Sequence, residues 1–125
     1  MQQDHEISIR VETSYIETQS APADKVFAFS YTISIHNSGN AAAKLLNRHW
    51  VITDADGKVQ EVRGEGVVGK QPHLQPGEAF RYTSGTLLAT PVGSMQGEYE
   101  MVDDNGQHFL ATIPPFSLAR PNSLH

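Results

Sequence analysis

Cysteine is absent from all 125 residues, which removes disulfides, thiolate zinc sites and any cysteine nucleophile at once. The absence fits a reducing compartment. A globule of this length can bury roughly two-thirds of its unfolded surface, so a core needs no such staples. Long apolar runs are missing too: the longest fall far short of the ~20 residues a membrane helix needs. The opening Met1-Gln2-Gln3-Asp4-His5 is polar and acidic, unlike a secretory signal. The expectation is a soluble, cytoplasmic protein with no membrane insertion. Positive charge is scarce: nine Lys and Arg stand against fourteen Asp and Glu, a formal net charge of −5. Arg10, Lys25, Lys44, Arg48, Lys58, Arg63, Lys70, Arg81 and Arg120 form no basic run. Nucleic-acid binding depends on cations displacing counterions from phosphates, so no nucleic-acid partner is expected.

Alternation with period two dominates what is there, and it predicts strands. Ile7, Ile9, Val11, Thr13 and Tyr15 share one face of the first run, and Ser8, Arg10, Glu12 and Ser14 share the other. After a turn over 20–24, Phe27, Phe29, Tyr31, Ile33 and Ile35 alternate with Ala28, Ser30, Thr32 and Ser34, a long strand with one buried side. Asn37-Ser38-Gly39-Asn40 ends it. A third strand is expected over 45–53 with the only tryptophan, Trp50. Asp56-Gly57 signals a two-residue hairpin, returning through 59–62. Residues 64–77 hold four glycines and two prolines and are expected to be irregular, with a type II turn at Pro76-Gly77. Alternating runs follow from Phe80 to Ser84 and from Met95 to Met101. Asn105-Gly106 signals a second hairpin, answered by Phe109, Ala111 and Ile113. Pro114-Pro115 is expected to stop that last strand, leaving 116–125 as a loose tail.

No amphipathic helix of useful length appears. The fold class is therefore all-β: a single domain over 1–125, an immunoglobulin/fibronectin type III-like β-sandwich of about seven antiparallel strands. A closed barrel is the alternative.

Motifs that carry chemistry are few. Gly64-Glu65-Gly66-Val67-Val68-Gly69 matches the dinucleotide fingerprint as a string, but that mechanism needs a helix opening at the motif. Pro72, Pro76 and Gly77 follow too closely to allow one. A weaker reading keeps the loop as an anion-binding nest with Lys70 nearby; the competing reading gives its glycines a purely conformational role. None of the six histidines forms a close-spaced ligand pair, so His36, His49, His73 and His108 can converge only through the fold. Asp54-x-Asp56 and Asp103-Asp104-Asn105 resemble calcium loops, but counting from Asp54 the sixth position is Val59 where an EF-hand has glycine, although the twelfth is Glu65, and counting from Asp103 the twelfth is Pro114, so both read better as hairpin turns. No Gly-x-Ser-x-Gly elbow occurs. Alternation puts Trp50 and Arg48 on one face and His49 on the other. Trp50 is expected to anchor the core, with Arg48 at its rim, stacked on a ring or paired with a carboxylate.

The run from Arg48-His49-Trp50 to Gly57 leads into Glu61-Val62-x-Gly64-x-Gly66-Val67-Val68-Gly69-x-Gln71-Pro72 and then Leu74-x-Pro76-Gly77-x-x-Phe80-x-Tyr82-x-Ser84-Gly85. With Gly93-x-Met95-x-Gly97-x-Tyr99-x-Met101 and Ile113-Pro114-x-Phe116, these strings resemble the ApaG (CorD) family over nearly the whole chain. The resemblance implies a fibronectin type III-like sandwich and an association with cobalt tolerance and magnesium efflux. Relatives that are domains of F-box proteins and of a DNA polymerase delta-interacting protein imply protein–protein binding. The family supplies no established catalytic residue.

The expected function is a non-enzymatic binding module for a protein partner, with no cofactor and no resident metal. The alternative is a small-ligand site for phosphate, pyrophosphate or a divalent metal. Its residues would be Gly64, Glu65, Gly66, Gly69, Lys70 and Arg48, with His49 or His73 the first to answer cobalt. A homodimer through a sheet edge is compatible with either.

Overall fold

The alternating runs of the sequence are strands in the computed structural model, which describes residues 5–122. Eight strands occur among those residues: β1 (Ile7–Tyr15), β2 (Phe27–Asn37), β3 (Ala43–Asp54), β4 (Val59–Glu65), β5 (His73–Leu74), β6 (Ala79–Leu88), β7 (Val92–Asp103) and β8 (His108–Ala119). Single 3-10 turns at Glu17–Gln19 and Pro22–Asp24 join β1 to β2. One antiparallel sheet has the order β1-β2-β6; the other has β4-β3-β7-β8, with the short β5 also on β3. Three long strands facing four make the expected sandwich, not a closed barrel. No helix among the described residues is long and apolar enough to cross a membrane.

The core lies between the sheets. Phe27, Phe29, Tyr31, Ile33 and Ile35 of β2 all point into it. Trp50 sits at its centre, 2% exposed, meeting Tyr31, Tyr99 and Phe116 edge-on at 5.4 to 6.4 Å. Such contacts add to the area the rings bury. Within the same core the Tyr82 and Tyr99 hydroxyls share a 2.5 Å hydrogen bond. Burial pushes both phenols far above the ordinary tyrosine range, against the opposing pull of the Arg48 guanidinium, so the pair stays neutral.

The two hairpin signals fold alike, though with one more loop residue than a two-residue turn. Gly57 donates its N–H to the Asp54 carbonyl and Asp54 to that of Lys58; Gly106 donates to Asp103 and Asp103 to Gln107. In each, the leading aspartate's Oδ1 accepts two turn amides at 2.9 Å, from Asp56 and Lys58 or from Asn105 and Gln107. These aspartates organise turns, as Asn and Asp do by bonding backbone two residues on. Asp103 does more: its Oδ2 meets His5 Nε2 at 2.8 Å, and the His5 ring stacks on Phe109 at 4.0 Å. Its carboxyl is held below the usual aspartate range, first by His5 and then by the turn amides. The type II turn is also in place, with Glu78 donating to the Gln75 carbonyl and Gly77 at φ +90°.

Three expectations need correction. The strand returning from Asp56-Gly57 continues past 62 to Glu65, so Gly64 and Glu65 belong to a ladder, and β5 interrupts the irregular stretch. Pro114-Pro115 does not stop the last strand. Met95 pairs Phe116 and Gly97 pairs Ile113, so both prolines bulge opposite the single residue Gln96. A proline pair is tolerated there because β8 is an edge strand and a bulge needs no ladder donor. The expected loose tail over 116–125 is accordingly not loose at its start: Phe116 packs on the core and Leu118 is completely buried. Residues 123–125 lie outside the described residues.

Candidate functional site

Two neighbouring features share Arg48 and Gly64. The first is the glycine-rich loop. Arg48 points inward on β3, directly across from Gly64 on β4 and Tyr99 on β7. Its Nη1 donates to the carbonyls of Glu65 at 3.0 Å and Gly66 at 2.9 Å, so it is paired with backbone and not with a ring or carboxylate as expected. A Cβ on Gly64 would lie 2.6 Å from that guanidinium. Gly66, at φ +65°, leaves room for the Lys70 carbonyl, which would sit 2.5 Å from an added Cβ. The amides of Gly66, Val67 and Lys70 donate to the carbonyls of Leu46, Lys70 and Val67. Gln71 Nε2 ties the loop to the Leu46 carbonyl as well. Arg48, Gly64, Glu65 and Gly66 are thus gathered at one point, with Gly69 and Lys70 on the same loop. An anion nest needs successive N–H groups turned toward the ligand, and here those of 66 and 67 face carbonyls.

The second feature is the outer face of the larger sheet, where the bulge between Leu45 and Asn47 sets Asn47 and His49 facing away from the core. Alternation brings Glu61 and Arg63 on β4, Glu98 and Glu100 on β7, and His108 and Leu110 on β8 to the same side. Register makes them partners. Asn47 is opposite Glu100, and His49 lies between Arg63 and Glu98. Asn47 Nδ2 donates to Glu100 Oε1 at 2.7 Å, and His108 Nδ1 meets Glu100 Oε2 at 3.1 Å. His49 Nε2 meets Glu61 Oε1 at 2.8 Å, with Nδ1 3.5 Å from Glu98 Oε1. The Asn47 bond, then His108, holds the Glu100 carboxyl below the ordinary glutamate range. Exposed cross-strand pairs are worth roughly 0.2–1 kcal/mol each, so their value lies in fixing the side chains. Asn47, His49, Arg63, Glu98, Glu100 and His108 line a shallow groove of about 660 Å³ together with Arg48, Gly64, Phe109 and Leu110, the last 61% exposed. Gly97 makes the spacing possible. A side chain there would collide with the His49 carbonyl of β3, so only glycine lets β7 come close enough for Glu98 to reach His49.

Of the histidines, the fold brings His49 and His108 to one groove, while His73 pairs with Asp104 at 2.8 Å. Among the described residues no group of three or more His, Asp or Glu side chains is placed to hold a metal ion. Sequence reasoning missed Asn47, Arg63, Glu98, Glu100, His108 and Leu110 as one surface. The signal present was polar residues recurring at alternate positions of four runs; which of them meet depends on register.

A three-on-four sandwich with a filled core, a clamped glycine loop and a paired polar face defines a small β-sandwich domain of the fibronectin type III kind. The family model of the ApaG domain matches residues 17–103. The chain is 57% identical over 122 residues to protein ApaG of Shewanella sp. (strain ANA-3), covering 98% of this chain and 97% of that protein. It is 57% identical over 120 residues to protein ApaG of Acidithiobacillus ferrooxidans (strain ATCC 53993 / BNL-5-31), covering 96% and 94%. A crystal structure described as an ApaA protein from Bordetella pertussis superposes with a TM-score of 0.94 at 45% identity, covering 98% of this chain and all of that one. A protein from Archaeoglobus fulgidus, 9% identical with a TM-score of 0.56, shares the fold alone. The chain belongs to the ApaG family.

Proposed function

We propose that this chain is a non-catalytic binding module whose outer β4-β3-β7-β8 face docks a protein partner. The observation that supports this reading most is the set of interlocked pairs around the groove. Both ring nitrogens of His49 face carboxylates and both oxygens of Glu100 are held. These atoms are engaged with each other, which holds the side chains in one arrangement. What they offer is a fixed polar rim beside the exposed Leu110, the pattern of an apolar anchor ringed by polar groups. The alternative, an oxyanion held by the 64–69 loop, has less in its favour because the Gly66, Val67 and Lys70 amides serve the loop itself. The association with cobalt tolerance and magnesium efflux that the family resemblance implies would then run through the partner, not through metal held on this chain.

The reading is tested by affinity capture from source-cell lysate with the wild-type chain and with Leu110→Asp and Glu98→Lys variants. A partner recovered by the wild type and lost with both variants supports it. A partner retained by both, or none recovered reproducibly, sinks it.

A further inference from the structure

Among the described residues five strands edge the two sheets, and four are guarded, β5 by being only two residues long. β1 carries Arg10 and Glu12 and lies against β8. β8 carries Pro114 and Pro115, and β4 carries Glu61, Arg63 and Glu65. Charge, proline and cover are the ordinary means by which sheet edges avoid pairing with other chains. β6 is different. From Tyr82 to Leu88 it reads Tyr-Thr-Ser-Gly-Thr-Leu-Leu, without one charge or proline. Its ladder partner is β2, and no backbone bond joins 79–88 to another segment among the described residues. Its one charge, Arg81, already sits 3.6 Å from Glu12.

The same stretch is complementary to itself. Gly85 and Leu87 lie two residues apart on the solvent side of the sheet. Leu87 is 61% exposed. Gly85 leaves a bare position across from Ser30, its ladder partner, and borders a depression of about 600 Å³ lined also by Ile16, Gln19, Ala28, Leu87 and, from β4, Gln60. If two copies of β6 run antiparallel about a two-fold axis through Thr86, Leu87 of each copy falls opposite Gly85 of the other. Ser84 then faces Leu88, Thr83 faces Ala89, and no like charges meet. A knob and a hole on one strand, spaced symmetrically about one residue, are what an isologous contact requires.

We propose that β6 is a self-association edge at which a second copy of this chain adds its own β6, centred on Thr86, to make one continuous six-stranded sheet. The free backbone row supplies affinity, and seating of Leu87 against Gly85 supplies register. This contact uses the sheet opposite the proposed docking face, so either can fail without the other.

The test is sedimentation velocity on the full chain from roughly 10 μM to about 1 mM, the range of weak specific association. The expected result is a monomer–dimer equilibrium that Leu87→Lys weakens by about tenfold or more and Leu110→Lys leaves unchanged. Hydrogen exchange on the wild-type chain provides a second reading: amides of 83–88 should gain protection as concentration rises. A chain that stays monomeric at about 1 mM overturns the proposal. So does a dimer indifferent to Leu87→Lys, one abolished by Leu110→Lys, or protection that rises elsewhere instead.

Discussion

The glycine-rich loop and the outer face of the larger sheet lie side by side and share Arg48 and Gly64, yet their polar atoms point in opposite directions. In the loop, carbonyls turn in toward Arg48 and amides toward carbonyls of the same loop or of Leu46. On the sheet, Glu98, Glu100, His49 and Asn47 bond to one another but stand at the surface of an open groove. A motif-like string marked the first; nothing string-like marked the second. Glycines at fixed spacing here build a tightly packed corner, and polar residues at alternate positions of four strands build the surface.

The comparison predicts where substitutions hurt. The largest effect is expected at Gly97, which supports the outer face. Gly97→Ala drives a Cβ into the His49 carbonyl, and the β3–β7 ladder must separate, a loss of about 3 kcal/mol or more in a denaturant melt. Gly66→Ala comes next, at about 2 kcal/mol, because it combines a positive φ with a 2.5 Å approach to the Lys70 carbonyl. Arg48→Met removes the Nη1 that donates to both the Glu65 and Gly66 carbonyls and should cost about 1–3 kcal/mol. Hydrogen exchange in that variant should quicken in 64–70 while β7 and β8 stay protected. Equal quickening in both regions would show that the loop and the face are one unit.

A pH measurement probes the outer sheet from its end. Asp103 has its folded pKa lowered, mainly by His5. A depressed carboxyl contributes stability that is in place above its unfolded value, about pH 4, and is lost as the pH falls through the lower folded value. Asp103→Asn should therefore flatten the acid limb of the stability curve. The smallest structural effect is expected for Glu98→Gln, under about 0.5 kcal/mol, since exposed pairs contribute little.

Most of the fold was legible because alternation is a local property. The residues of β2 that alternate as aromatic and branched are the ones that fill the core, and Trp50 anchors it as a third-strand tryptophan should. What was not legible depends on pairs of strands. Two adjacent prolines read locally as a stop, and only the register with β7, slipping at Gln96, lets β8 pass them and bury Leu118. The face of His49 was legible, whereas its contacts with Glu61 and Glu98 required knowing that 49 stands across from both 63 and 98. The loop is the opposite case. Its spacing matched a ligand motif, while the destination of its amides was set by Leu46 and Lys70, which the motif does not include.

The most direct test of the central claim is quantitative capture of a partner by four chains: wild type, Leu110→Asp, Glu98→Lys and Val68→Gly. Val68 is an exposed residue at the loop tip with φ +43°, and glycine there removes a side chain while relieving the backbone. The account predicts that the two sheet variants lose the partner and the loop variant keeps it. Loss with Val68→Gly alone would move the binding site to the glycine loop and contradict the account.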